Sequence, residues 1–190
     1  FRDFEKKILK ANRFTIIACG TSWHAGLVAS YYFESIARIN IDIQYASEFR
    51  YRNPVLNEND VVLSITQSGE TADTLAAQKL AKSRGAITLA ICNVVGSSIA
   101  RENDGGAYTH AGPEIGVAST KAFTTQLTIL LLIALRLGKE NSSIRDRDYQ
   151  RMLIEIQMLP STLKECLKID KKIEKISKEF MRSENFLYLG

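Results

Sequence analysis

Hydroxyl and amide side chains are concentrated in one short turn of this sequence. Residues 66–71 read Thr-Gln-Ser-Gly-Glu-Thr, and they follow an apolar run at residues 61–65 that predicts a buried strand. Residues 72–77 predict the opening of a helix. The first N–H groups of a helix lack partners within the helix, and its dipole is positive at that end. A strand that turns directly into a helix therefore favours an anion.

The side chains of the turn suit a small phosphate monoester. Thr66, Gln67, Ser68 and Thr71 can all donate hydrogen bonds, and Gly69 allows the backbone to approach closely. The turn contains no Lys or Arg, and it lacks the G-x-x-x-x-G-K-[ST] pattern of nucleotide-binding P-loops. The alternative is a purely structural one, because Ser, Thr and Gly are also ordinary turn and helix-capping residues.

The rest of the chain predicts the elements that would hold this turn in place. Strands are predicted at residues 14–18, 41–45, 60–65, 86–92 and 106–109, with helices at 23–38, 71–83 and 119–137 between and after them. We expect Gly138 to end the last of these helices. A helical pattern then covers residues 144–182, with breaks at Pro160 and near Asp170, and residues 186–189 predict a strand.

Strands that alternate with helices predict an α/β fold. We expect a three-layer, flavodoxin-like, five-stranded parallel sheet with helices on both faces, plus C-terminal helices. Ligands of such sheets bind outside the carboxyl ends of the strands. The turns at residues 19–22, 66–71, 93–96 and 114–120 would meet at that edge, which supports the phosphate interpretation.

Composition narrows the class of protein. The chain has 190 residues, 45% hydrophobic and 24% charged, with a formal net charge of +4, which is ordinary for a globular domain. The basic residues form no stripe, so we expect no nucleic-acid partner. The apolar run at residues 127–135 is too short to predict a membrane span. Three dispersed cysteines, Cys19, Cys92 and Cys166, fit a reducing compartment, and we expect no metal and no cofactor.

Four segments carry a resemblance to a known family. Residues 18–22 (ACGTS), 46–52 (ASEFRYR), 67–74 (QSGETADT) and 114–124 (EIGVASTKAFT) together resemble the glutamine–fructose-6-phosphate aminotransferases. The resemblance extends over essentially the whole chain and matches the first of two sugar isomerase (SIS) domains in the synthase half of these enzymes. It implies an SIS domain at residues 1–140. Residues 141–190 would then be a helical extension that leads to a second SIS domain outside this chain.

The resemblance also implies roles for particular residues. Thr66, Gln67, Ser68 and Thr71 would hold the phosphate of the sugar. Thr21 and Ser22 would contact its hydroxyls, and the backbone at Val117 would border the sugar. At position 66 many members of the family have Ser where this chain has Thr, which keeps the hydroxyl.

The reaction implied by the resemblance joins glutamine-derived ammonia to fructose 6-phosphate and isomerises the product to glucosamine 6-phosphate. The general base and the ring-opening residue of the family lie outside the segment that this chain matches, as does the glutaminase domain. We therefore expect no catalytic residue here, and a fragment that is inactive alone. The implied setting is a cytoplasmic homodimer.

The roles of two acidic residues and one lysine near the predicted site are open. Glu70 could act as a general base, but its place at a helix N-terminus favours a role in ordering the loop. Glu114 is ambiguous in the same way. Lys121 could meet a phosphate or pair with Glu114, and the sequence favours pairing.

Two further functions are compatible with the sequence. SIS domains also occur as sugar-phosphate sensors in transcription regulators, although no DNA-binding helix-turn-helix pattern is readable here. The chain could also serve mainly to build a dimer interface, through the helix at residues 119–137 and the helices after residue 144.

Overall fold

The structure, a computed structural model, describes residues 4–116 and 119–187. The chain divides into two compact units, one ending at Tyr149 and the other beginning at Gln150. The first unit contains a parallel sheet and the helices that cover it. The second unit is helical.

The sheet of the first unit has five strands in the order β2-β1-β3-β4-β5, and every neighbouring pair is parallel. The strands are β1 (Arg13–Ala18), β2 (Asp42–Tyr45), β3 (Asp60–Thr66), β4 (Ile87–Cys92) and β5 (Gly105–Tyr108). Each lies within one or two residues of a predicted strand. The prediction of a flavodoxin-like parallel sheet with helices on both faces is confirmed.

The helices of the first unit are α1 (Glu5–Leu9), α2 (Gly20–Tyr32), which continues as a π-helical turn (Phe33–Ala37), α3 (Ala46–Tyr51), α4 (Ala72–Ser83), α5 (Ser98–Glu102) and α6 (Lys121–Glu140). Helices α2, α4 and α6 correspond to the three helices predicted between and after the strands, and α1, α3 and α5 are shorter. Helix α7 (Asp146–Leu167) begins in the first unit, and α8 (Asp170–Glu179) lies in the second.

Alternate residues of the central strand pack against different helices, because successive strand side chains point to opposite faces. Leu63 and Ile65 of β3 belong to the core beneath α2 and α6, which includes Leu130. Val62 belongs to the opposite core, with Phe49 of α3 and alanines of α4. Burial on both faces holds β3 at the centre of the sheet and fixes where its carboxyl end opens.

The expectation that Gly138 ends the long helix is wrong. Helix α6 continues to Glu140, and Gly138 lies against the preceding layer instead. A Cβ at this position would lie 2.7 Å from the backbone oxygen of Ile36. The glycine therefore allows α6 to cross the π-helical turn at close range.

The break expected at Pro160 is also absent, because α7 runs through this residue. Proline removes one backbone hydrogen bond from a helix interior. The carbonyl group that loses its partner belongs to Ile156, and none of residues 150–187 is buried, so water can satisfy it. The break expected near Asp170 is confirmed, since α7 ends at Leu167 and α8 begins at Asp170.

The second unit has no buried residue among residues 150–187. Its helices leave apolar side chains such as Leu163, Leu167 and Ile173 exposed. Of the strand predicted at residues 186–189, Phe186 and Leu187 are not in a strand, and the other two residues lie outside the described part of the chain.

Helix α6 is long and apolar enough to cross a membrane by length and composition alone. One side of the helix is open to solvent, since Leu132 is 38% exposed. Its other side is buried, with Leu130, Ala134 and Leu137 in the core of the first unit. This helix has the features of a core helix in an α/β domain.

Candidate functional site

A pocket of about 290 Å³ opens at the carboxyl ends of β1 and β3. Its volume lies near the lower end of the range for small-ligand sites, about 300–1,000 Å³. None of its described lining residues is charged, and hydroxyl groups dominate. The lining consists of Cys19, Gly20, Thr21, Ser22, Ile65, Thr66, Gln67, Ser68, Thr71, Thr74 and Ser119.

The turn after β3 is ordered by hydrogen bonds from its own backbone. The N–H of Gly69 donates to Thr66 Oγ1 at 3.2 Å, and the N–H of Glu70 donates to Ser68 Oγ at 3.1 Å. Thr66 Oγ1 and Thr71 Oγ1 are 3.4 Å apart. Because the Ser68 hydroxyl accepts from the backbone, its own proton remains available to donate to a ligand.

Gly69 is required by the shape of this turn. Its φ is +71°, in the left-handed region that glycine adopts without strain. A Cβ at this position would lie 2.5 Å from the Cβ of Ser97 and 2.8 Å from Cys92 Sγ. The turn therefore packs directly on the loop after β4, and any larger residue would force the two loops apart.

Two helices begin at the pocket without a side-chain cap. The residues before α2 and α4 are Cys19 and Thr71, and neither makes a capping hydrogen bond with its side chain. The unpaired N–H groups and the positive dipole ends of both helices remain available near the pocket. An anion placed between them would be stabilised by the N–H groups and the positive dipole ends of both helices.

Glu70 faces away from this pocket. Its Oε1 accepts a hydrogen bond from the backbone N–H of Ser98 at 2.7 Å, at the start of α5. The hydrogen bonds from Ser98, with a weaker contribution from the charge of Arg101, lower the pKa of the Glu70 carboxyl from its usual value. This carboxylate orders the loop between β4 and α5, which agrees with the structural role favoured by the sequence.

Glu114 caps the third helix that begins at this edge. It accepts hydrogen bonds from the backbone N–H groups of Thr120 and Ala122 and from the hydroxyl groups of Ser119 and Thr120. The bond from Ala122 is the main reason that the pKa of Glu114 lies below its usual value. The expected ion pair between Glu114 and Lys121 is not observed among the described residues, and the Lys121 ammonium group lies beside Gly112.

The structure brings six of the seven predicted site residues to one pocket. They are Thr21, Ser22, Thr66, Gln67, Ser68 and Thr71. The seventh, Val117, lies outside the described residues. Whether these residues hold a sugar phosphate remains a prediction.

Five lining residues are not among the predicted site residues: Cys19, Gly20, Ile65, Thr74 and Ser119. Of these, Cys19, Gly20 and Ser119 lie in the turns at residues 19–22 and 114–120, which the sequence predicts at this edge. Thr74 lies one helical turn after Thr71, so the spacing could have identified it. Its hydroxyl donates to Cys19 Sγ at 3.8 Å, which joins the ends of the two turns.

A larger cavity of about 610 Å³ lies at the opposite edge of the sheet, where β1 and β2 begin. Its polar lining includes Arg13, Arg38 and Asp42. The smaller pocket is the better candidate because ligands of parallel sheets bind at the carboxyl ends of the strands, where helix N-termini converge. The described residues contain no group of three or more His, Cys, Asp or Glu side chains arranged to hold a metal ion.

The strand order and the uncharged, hydroxyl-lined pocket define a doubly wound α/β ligand-binding domain. The chain belongs to the SIS domain family, which matches residues 7–136. This assignment covers the sheet and all of the pocket lining.

Named relatives agree with the resemblance carried by the sequence motifs. The chain is 54% identical over 188 residues to the glutamine–fructose-6-phosphate aminotransferase (isomerizing) of Bacteroides thetaiotaomicron, covering 99% of this chain and 31% of that protein. It is 50% identical to the enzyme of the same name from Chlorobaculum tepidum, covering 99% of this chain and 30% of that one. The chain thus spans about a third of the length of these curated relatives.

A solved structure has the same fold over nearly the whole chain. The C-terminal domain of glucosamine-fructose-6-phosphate aminotransferase from Francisella tularensis superposes with a TM-score of 0.88 at 39% identity. The match covers 97% of this chain and 52% of that one. The recognition of this family from the sequence motifs is therefore confirmed.

Proposed function

We propose that this chain is the first SIS domain of a glutamine–fructose-6-phosphate aminotransferase and that it binds the sugar phosphate substrate. The SIS domain would comprise residues 1–140, and residues 141–190 would form the helical extension toward a second SIS domain. The observation that supports this best is the 290 Å³ pocket, where two uncapped helix N-termini and an uncharged, hydroxyl-rich lining meet.

In this proposal the phosphate occupies the turn after β3. Thr66, Gln67, Ser68 and Thr71 donate hydrogen bonds to its oxygens, and the N-terminus of α4 stabilises its charge. A phosphate monoester carries a charge of about −1.5 to −2. Four hydrogen bonds to it at about 1.5–3 kcal/mol each exceed an association cost of about 4 kcal/mol or more. Millimolar to micromolar affinity follows without any cationic side chain.

The sugar would extend from the phosphate toward the start of α2. Thr21 and Ser22 are placed to contact its hydroxyl groups, and the backbone of Val117 would border it. Ser119 lines the same pocket and adds a further hydroxyl on that side. Fructose 6-phosphate and glucosamine 6-phosphate share the phosphate and much of the hydroxyl pattern, so the same contacts serve substrate and product.

The chemistry of amination and isomerisation would come from other parts of the parent protein. A proton transfer between two carbons needs a base whose pKa is close to the working pH. Glu70 and Glu114 are both held by several hydrogen bonds that lower the pKa of each carboxyl group. Neither suits that task, so a second SIS domain would supply the base and a glutaminase domain the ammonia. The proposed setting is a cytoplasmic homodimer.

Calorimetric titration of the full-length parent protein with fructose 6-phosphate, and separately with fructose, tests the proposal. We expect saturable binding of the phosphorylated sugar and much weaker binding of fructose. Ser68→Ala should weaken binding by about 1–3 kcal/mol, which is roughly 5- to 150-fold. Ser83→Ala is the matched control, because its hydroxyl donates to the backbone of α4 and does not line the pocket.

Wild-type protein that fails to bind fructose 6-phosphate, or an unchanged affinity in Ser68→Ala, would overturn the phosphate assignment. Turnover distinguishes the enzyme from the sensor alternative. An aminotransferase forms glucosamine 6-phosphate from glutamine and fructose 6-phosphate, whereas a sensor binds the sugar without converting it.

A further inference from the structure

A buried glutamine, Gln126, is hydrogen-bonded to one of the residues that line the pocket. Gln126 lies in the second turn of α6 and has no exposed surface. Its Nε2 donates a hydrogen bond at 3.0 Å to the hydroxyl of Ser22, which lines the pocket. Ser22 is itself only 6% exposed. Gln126 can therefore affect a bound ligand only through its hydrogen bond to Ser22.

The direction of this hydrogen bond determines what Ser22 can do. A serine hydroxyl has one proton and two lone pairs. Because Gln126 donates to Ser22 Oγ, it occupies a lone pair and leaves the proton of the serine free. No group among the described residues accepts that proton. The Ser22 hydroxyl is thus held as a donor toward the pocket.

A second buried glutamine in the same unit shows the opposite arrangement. Gln78 in α4 is 2% exposed, and its Oε1 accepts a hydrogen bond from Ser64 Oγ at 2.6 Å. This bond uses the proton of Ser64, and Ser64 does not line the pocket. The Gln78–Ser64 pair also leaves one half of its amide, Gln78 Nε2, buried without a partner among the described residues. The two pairs differ in that Ser22 lines the pocket and Ser64 does not.

The other half of the Gln126 amide has no partner among the described residues. Gln126 Oε1 is buried and accepts no hydrogen bond. An unsatisfied buried carbonyl destabilises a fold, and an apolar side chain of similar length would avoid this cost. Gln78 carries the same cost without contacting the pocket, so the case for Gln126 rests on its hydrogen bond to the pocket-lining Ser22.

We infer that Gln126 is a positioning residue, which orients the Ser22 hydroxyl to donate a hydrogen bond to an oxygen of the sugar moiety. This inference rests on the proposed function, because it takes the ligand to be a sugar phosphate. It assigns to α6 a part in recognising the sugar. The phosphate, held by the turn after β3, lies outside the influence of Gln126.

Titration of the intact protein with fructose 6-phosphate and with inorganic phosphate tests this role. Gln126→Met keeps the length of the side chain and removes the amide. We expect it to weaken fructose 6-phosphate binding by about 3- to 10-fold, the value of one neutral hydrogen bond. Binding of inorganic phosphate should change by less than about 2-fold. Gln78→Met is the matched control and should leave both affinities unchanged.

A double-mutant cycle separates positioning from a structural effect. In a Ser22→Ala background, Gln126→Met should cause no further loss, because the hydroxyl that it orients is already absent. If the loss persists in that background, or if Gln78→Met weakens sugar binding equally, the inference is wrong. If Gln126→Met does not fold, Gln126→Asn withdraws the amide from Ser22 and should show the same loss. Wild-type affinity in Gln126→Asn would also contradict the inference.

The outcomes distinguish this inference from the proposed function. Wild-type protein that binds no fructose 6-phosphate overturns both. Binding that is weakened by Ser68→Ala but unchanged by Gln126→Met leaves the proposed function standing and rejects the role of Gln126.

Discussion

Glu114 accepts two hydrogen bonds from Thr120, one from its backbone N–H at 3.2 Å and one from its hydroxyl at 2.9 Å. A third bond comes from the backbone N–H of Ala122 at 3.0 Å. The carboxylate thus caps α6 from a preceding loop, and its negative charge lies near the positive end of the helix dipole. Helix α6 begins at the pocket with its own anion already in place, unlike α2 and α4.

This cap makes the stability of the protein depend on pH. The pKa of Glu114 is lower in the folded protein, so its contribution to stability is present above the unfolded pKa of about 4.3 and is lost as the pH falls through the folded value. Glu114→Gln should lower the melting temperature at pH 7, and the difference from wild type should shrink below about pH 4. Thermal unfolding from pH 3 to pH 7 measures this.

Glu34→Gln is the control for the Glu114 experiment, because the Glu34 side chain is exposed and makes no hydrogen bond or ion pair with any described residue. Its effect on melting should be small at every pH. A Glu114→Gln difference of constant size down to pH 3 would show that the charge of Glu114 does not stabilise the helix.

Gly69 and Gly96 permit a test of the turn that holds the proposed phosphate. Both have a positive φ, +71° and +74°, but an added Cβ meets Ser97 and Cys92 at Gly69 and nothing within 4 Å at Gly96. Gly96→Ala should cost about 1 kcal/mol from backbone strain alone. Gly69→Ala should cost about 3 kcal/mol, because steric overlap adds to that strain. Urea denaturation gives both values, and equal costs would show that the two loops separate easily.

The ion pair between Arg136 and Glu5 joins α6 to α1. Arg136 Nε and Nη2 donate to the two carboxylate oxygens of Glu5 at 2.8 and 3.0 Å, and Glu5 is 8% exposed. Removing the arginine leaves a nearly buried carboxylate without its partner. We expect Arg136→Met to destabilise the fold by about 1–2 kcal/mol, less than for a fully buried pair because the arginine is half exposed.

Arg145→Met is the comparison for that ion pair. Arg145 pairs with Asp148 but its side chain is 87% exposed, so its loss should change stability by less than about 0.5 kcal/mol. Denaturation of both variants and of Glu5→Gln/Arg136→Met measures the difference. If Arg136→Met is as mild as Arg145→Met, the pair contributes no more than a surface contact.

Glu70→Gln tests whether the acid of the turn takes part in catalysis. Removing a general base commonly lowers the rate by about 10²- to 10⁴-fold. Because Glu70 is hydrogen-bonded to Ser98 and faces away from the pocket, we expect kcat of the proposed parent aminotransferase to fall by less than 10-fold. The variant should also unfold at a lower temperature, since the loop before α5 loses a charged hydrogen bond. A rate loss above 100-fold would assign Glu70 a chemical role.

The parts of the fold that could be predicted from the sequence are those set by local pattern. The β-branched and apolar runs indicated β1, β3 and β4, and apolar/polar alternation indicated β2, whereas β5 (Gly105–Tyr108) has only a weak strand pattern. Burial on both faces of β3 agrees with its nearly continuous apolar run. The turn at residues 66–71 could be recognised because a strand, a glycine and a helix follow one another directly. Local signals failed at Gly138 and Pro160, where helix packing and solvent exposure override the usual effects of glycine and proline.

The pocket was only partly predictable for the same reason. Thr66, Gln67, Ser68 and Thr71 lie in one segment, so a sequence pattern can identify them. Gln126 contacts the pocket-lining Ser22 because α6 packs against α2. The contact between α2 and α6 joins distant parts of the chain, so no periodic pattern in the sequence predicts it.

The Gln126–Ser22 hydrogen bond spans 104 positions of the chain. Contacts of such high sequence separation require the closure of a long loop, so they form late when a domain folds. A partly folded chain that has ordered β1, β3 and the turn between β3 and α4 would still lack Ser119 in the pocket lining and the hydrogen bond from Gln126 to Ser22. A ligand that contacts all of the pocket lining therefore binds only the native state. Such a ligand raises the melting temperature of the protein, by an amount set by its concentration relative to its Kd.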